Sequence, residues 1–195
     1  MGVVEDGRFG GIDVCPWGDV DTTTLTAYPL LFRMIDVAAV ASELWDRFLA
    51  PAQQALVAEG LGVPPGEARS ASAFVAGLQG IGMLVPSVQR GVPWAWARLG
   101  DDLAADAASA GEISGERASA HIGVGLFARA GFEVAGNDSP AVRAAQILGG
   151  HGGRFLQIDV DQGASPGRVR ATLGGPAWRS LRERYARLLG HLCGA

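Results

Sequence analysis

Residues 30–49 read LLFRMIDVAAVASELWDRFL. Leu30, Met34, Ala38, Ala41, Trp45 and Phe48 fall on one stripe of that segment, the spacing that gives an α-helix a single apolar face. Pro51 then stands where a second helix can begin, and Leu56 and Val57 carry it to Gly60 and Gly62, which close it. After the turn Pro64-Pro65-Gly66, an Ala-rich stretch over 68–81 with Phe74, Val75 and Leu78 predicts a third helix. Residues 85–96, holding Pro86, Pro93, Trp94 and Trp96, read as irregular. Alanine content and the Leu99/Leu103 spacing predict a helix over 98–108. Ser114 is placed to cap another helix, running to Ala130 with Ile122, Leu126 and Phe127 inward. Asp138-Ser139-Pro140 starts the next, which carries Val142, Ala145 and Ile147. Pro176 opens a last helix with Trp178, Leu181, Tyr185, Leu188 and Leu189. Period-two alternation is confined to a short piece around Phe155 to Val160, ahead of a loop over 159–167. The fold class expected is all-α: one helical domain over 25–195, preceded by an N-terminal arm over 1–24 packed around Trp17.

The bulk numbers narrow the classes. Of 195 residues, 48% are hydrophobic, enough for one buried core. No apolar run is long enough to span a bilayer, and the N-terminus MGVVEDGRFGG lacks the apolar centre of a secretory signal. Cys15 and Cys193 lie near opposite ends, so neither a zinc site nor a disulfide framework is expected, and the expected location is cytoplasmic. The formal charge is −4, and all 16 basic residues are arginine. An acidic chain is a poor match for the phosphate backbone, so nucleic acid is not the expected partner.

Four stretches carry a resemblance. They are Tyr28-Pro29-Leu30-Leu31-Phe32-Arg33-Met34-Ile35-Asp36-Val37-Ala38, then Phe74 to Met83 with Pro86 and Gln89, then Ser114-Gly115-Glu116-Arg117-Ala118-Ser119, then Gly149-Gly150-His151-Gly152-Gly153-Arg154-Phe155. In that order they resemble the HD nuclease domain of the type I CRISPR-associated helicase-nuclease, whose patterns are close to YPLxxHxxDxA, LAGLHDIGKxxPxFQ, RHExxS and GGHHGRF. The resemblance covers about Trp17 to Trp178 and implies an HD-like helical bundle. It also implies which positions hold metal in that family. There this chain has Arg33, Gln79, Gly80, Gly115 and Gly152; Met83 replaces a lysine, and His151 alone survives. Glycine offers no ligand, a Gln amide is a weak one, and Arg carries a fixed charge that repels a cation. No metal and no cofactor are expected, and the family's nuclease chemistry is not.

Two functions remain open at this point. In the first, the vacated metal cavity binds a small organic molecule and acts on it without metal, as a cyclase, isomerase, dehydratase or pericyclase of secondary metabolism. Arg33 and Gln79 would then stabilise an oxyanion, with His151 as general acid or base. Met34, Asp36, Met83, Trp94, Trp96 and Arg154 would complete the substrate site. In the second, the domain is catalytically dead and binds protein, as a regulator or decoy in a CRISPR context. The first is favoured because a scaffold gains nothing from new polar residues such as Arg33 and Gln79 at former ligand positions. The bland alternative for Arg33 is a surface ion pair with Asp36 or Glu43.

Overall fold

The computed structural model describes residues 4–5, 7–107, 110–134, 136, 138–149 and 172–195. Three two-residue strands, β1 (Val4–Glu5), β2 (Arg8–Phe9) and β3 (Ile12–Asp13), pair antiparallel in sequence order. A second antiparallel pair follows, β4 (Trp17–Asp21) with β5 (Thr26–Pro29). Asp21 shapes the turn between them, its carboxylate accepting the backbone N–H groups of Thr23 and Thr24. The segment read as an arm is therefore two small ribbons. Strands of two to five residues are too short to show alternation in a sequence.

The rest of the described chain is helical, an HD-domain-like bundle. Helix α1 (Leu30–Arg47) buries Leu30, Leu31, Met34, Ala38 and Trp45, so the apolar stripe does form the core face. Its C-terminal end departs from the reading: Phe48 is 74% exposed. Helix α2 (Pro51–Leu61) begins on its proline and ends on Gly62, whose φ of +67° suits a residue without Cβ. Helix α3 (Ala68–Gly77) tightens into a 3₁₀ segment, Leu78–Met83, instead of continuing as α-helix. The stretch read as irregular holds two single-turn helices, α4 (Pro86–Gln89) and α5 (Pro93–Trp96), each started by a proline that lacks the N–H a first turn leaves unpaired. Helix α6 (Asp101–Asp106) is shorter than its alanine content suggests.

Helices α7 (Gly115–Arg129) and α8 (Pro140–Gly149) begin where the caps place them, and the Ser114 hydroxyl accepts from the Arg117 N–H. They pack along each other, while Ile147 on α8 faces solvent rather than the core. Helix α9 (Pro176–Cys193) closes the bundle and buries Trp178, Leu181, Tyr185 and Leu189. The Trp178 indole donates to the Leu103 carbonyl at 2.9 Å and stacks on Trp96, with centroids 6.2 Å apart. Arg182, also on α9, is buried; its guanidinium donates to the carbonyls of Leu84 (2.8 Å) and Leu173 (2.7 Å). Burial pushes it down to about 10, so it stays cationic at neutral pH. The alternating piece at 155–160 and the loop over 159–167 lie outside the described residues.

Two contacts hold the 3₁₀ segment. Gln89, fully buried, donates through Nε2 to the carbonyls of Trp17 and Met83, both at 2.9 Å, and accepts the Trp17 N–H at 3.0 Å. The Trp17 indole returns a bond to the Gln89 carbonyl at 3.1 Å. On the other side, the Gly82 N–H donates to the Ser119 hydroxyl at 2.9 Å, and a Cβ on Gly82 would overlap the Gly115 carbonyl oxygen.

Gln89→Leu keeps the volume but strands three buried backbone groups, and is expected to cost roughly 3 kcal/mol or more in urea unfolding. Gly82→Ala forces α7 away from the 3₁₀ segment, with an expected loss of about 2–3 kcal/mol by the same measurement.

Candidate functional site

The 3₁₀ segment, the N-terminal half of α1 and the start of α7 surround a cleft of about 210 Å³. Arg33, Met34 and Val37 come from α1, Gln79, Gly80 and Met83 from the 3₁₀ segment, and Gly115, Glu116 and Ser119 from α7; Leu148 closes the wall from α8. The tight turn projects Gln79 outward while Leu78 and Ile81 point into the core. Ser119 is buried and donates to the Gln79 carbonyl at 3.3 Å, which fixes the floor.

The structure thus brings together four positions that are far apart in sequence: Arg33, Gln79, Gly80 and Gly115. Met34 and Met83 also line the cleft. The remaining candidates lie elsewhere. Asp36 is exposed and accepts from the Tyr28 hydroxyl at 2.6 Å, a bond that raises the Tyr28 pKa because ionising the phenol would set two negative charges together. Glu43 pairs with Arg47 at 2.6 Å. Neither carboxylate meets Arg33, whose Nη1 donates to the Gly18 carbonyl and lies 3.9 Å from the Met83 sulfur. Gly18 sits in an irregularity of the β4–β5 pairing, between Trp17 and Asp19. Trp96 is stacked between Trp178 and the Arg90 guanidinium, 5.2 Å from the ring, and neither Trp94 nor Trp96 lines the cleft. His151 and Arg154 lie outside the described residues. Glu116, Ser119 and Val37 are cleft residues the sequence reading did not single out; the first two are signalled only as matched positions of the third motif.

The described cleft residues do not fit a divalent metal centre. Their donors are one carboxylate, one amide and one hydroxyl, set beside a guanidinium, whereas such ions are held by several carboxylates and imidazoles. Among the described residues, no group of three or more His, Cys, Asp or Glu is placed to hold a metal ion.

The helical bundle and the cleft between its first long helix, a tight turn and a later helix agree with the HD-type fold that the family resemblance implies, and comparison with known proteins narrows that class. The family model described as Cas3, HD domain matches residues 17–195, and the chain belongs to that family. Among solved structures, T. fusca Cas3 aligns with a TM-score of 0.75 at 24% identity, covering 94% of this chain and 20% of that one. A chain of a CRISPR RNA-guided surveillance complex in a pre-nicking state aligns equally well, at 24% identity over 94% of this chain and 21% of its own. The Thermus thermophilus cas3 HD domain in the presence of Ni2+ gives a TM-score of 0.62 at 23% identity, over 93% and 65%. The chain therefore spans about a fifth of the length of the first two. No curated protein matches the sequence.

These findings correct the favoured reading of the sequence, a metal-independent enzyme of secondary metabolism. The matched family model is the Cas3 HD domain, and the solved structures that the chain resembles include T. fusca Cas3 and a cas3 HD domain. The geometry agrees, because two of the proposed aromatic walls are elsewhere and about 210 Å³ falls below the ~300–1,000 Å³ usual for small-molecule pockets. No described helix is long and apolar enough to cross a membrane.

A Cβ on Gly115 would meet nothing closer than 3.9 Å, so the cleft has room for a side chain there. Titration calorimetry with Ni2+ is expected to show no binding to this chain. The combined variant R33H, Q79H, G80D and G115H is expected to gain it, and binding by the unaltered chain would refute the assignment.

Proposed function

We propose that this chain is a catalytically inactive module of the HD nuclease type, acting as a protein-binding regulator or decoy in a CRISPR setting. The observation that carries the reading is the composition of the cleft. Four positions that the family resemblance assigns to metal ligands meet there, and they carry a guanidinium, an amide and two glycines. An HD phosphodiesterase depends on its ions to activate water and to neutralise the phosphate oxygens. Arg33 supplies a positive charge but no water-activating centre, and its guanidinium is already engaged by Gly18 and Met83. Membership of the Cas3 HD family supports the CRISPR setting. Likeness to a chain found in a surveillance complex supports a protein partner of that kind.

Incubated with single-stranded DNA and Ni2+, Mn2+ or Mg2+, the chain is expected to leave the strand intact. Added in excess to a reconstituted surveillance complex with an active Cas3, it is expected to slow nicking by competing for the docking site. Metal-dependent cleavage that EDTA abolishes would overturn the inactivity, and an unchanged nicking rate would overturn the decoy role.

A further inference from the structure

Helix α1 and the C-cap residue that ends it, Phe48, do not bury all of their apolar side chains. Val40, Leu44 and Phe48 are 58%, 47% and 74% exposed. Their spacing of four sets them in one row along the helix, adjacent to the buried stripe. Single exposed apolar side chains are ordinary on a protein surface, but a continuous row over two turns signals an interaction surface. On the solvent edge of that row stand Glu43 and Arg47, an exposed pair of opposite sign one turn apart. Asp46 lies on another side of the helix, held by Arg69 from α3 at 2.8 and 2.6 Å.

We propose that this row is the contact surface of a homodimer in which α1 packs antiparallel against α1 of a second copy. A two-fold interface must be complementary to itself, each residue meeting a partner drawn from the same patch. With the axis beside Leu44, that side chain meets its own counterpart, while Val40 faces Phe48 of the partner subunit and Phe48 faces Val40 of the partner subunit. The dyad also places the charged edges of the two helices side by side. Glu43 then lies within one turn of Arg47 of the partner subunit, and the reverse contact forms by symmetry. An edge of one sign would repel itself in this arrangement. Glu43 also nears its own counterpart, but the two Glu43–Arg47 contacts across the axis outnumber that one repulsion, and this net attraction is what favours a second copy over a partner of uniform charge. Three apolar side chains per copy fall short of a standard interface of roughly 1,200–2,000 Å², so the dimer is weak and concentration-dependent. The inference is independent of whether the cleft binds metal.

The test is sedimentation velocity on the full chain from low to high micromolar concentration. The weight-average mass is expected to climb toward twice the monomer value. Leu44→Glu is expected to weaken association at least about tenfold, as substitutions at the centre of an interface do. Its thermal unfolding midpoint should stay unchanged, since the side chain is half-exposed. E43R alone and R47E alone set like charges across the axis, and each is expected to weaken self-association. Mixing the E43R chain with the R47E chain makes every cross-axis pair opposite in sign and is expected to restore a dimer. A wild-type chain that stays monomeric throughout, a dimer that survives Leu44→Glu, or a mixture that fails to associate would each overturn the proposal.

Discussion

The buried Gln89 carboxamide is the constraint on which the site depends. Both of its N–H groups and its oxygen are spent on backbone atoms, two at Trp17 and one at Met83. A buried amide tolerates no idle donor, so the 3₁₀ segment and the β4–β5 hairpin cannot shift independently. The hairpin carries Gly18, and Gly18 engages Arg33. One core side chain therefore fixes the floor of the cleft through Met83 and one of its edges through Trp17. The close approach of Gly82 to α7 holds the opposite side.

That arrangement explains how metal-site positions can change while the fold persists. Arg33 and Gln79 are exposed and Gly80 and Gly115 half-buried, whereas the motif residues between them, Leu30, Leu31, Leu78 and Ile81, are fully buried. Replacing a group that faces a cleft leaves no void and breaks no packing. Replacing a flank would open a cavity costing several kcal/mol. Stability alone thus retains the flanks, and only the chemistry of the ions retains the ligands. On the reading proposed above, the tethered guanidinium of Arg33 can stand in for a cation without disturbing the core.

Much of this was legible in the chain itself. Pro51, Ser114, Pro140 and Pro176 mark helix starts because a first turn needs either a cap or a residue without an N–H, and each is a local requirement. The apolar period of α1 located its buried face, and the first three motifs, in order, located the described cleft positions. Phe48 and Ile147 escaped because an apolar residue on a helix reads as core whether or not another element covers it.

What the sequence determined alone, then, was the helical class, the helix starts and the identity of the side chains that meet at the positions the family resemblance assigns to ligands. Tertiary structure decided whom those side chains face. Arg33 has a carboxylate one turn away, yet it bonds the carbonyl of a glycine fifteen residues earlier, and Asp36 turns to Tyr28 instead. Trp96, on the short helix α5, stacks on Trp178 from the last helix and does not line the cleft. Such pairings depend on where distant segments arrive, and local periodicity and capping carry no term for that.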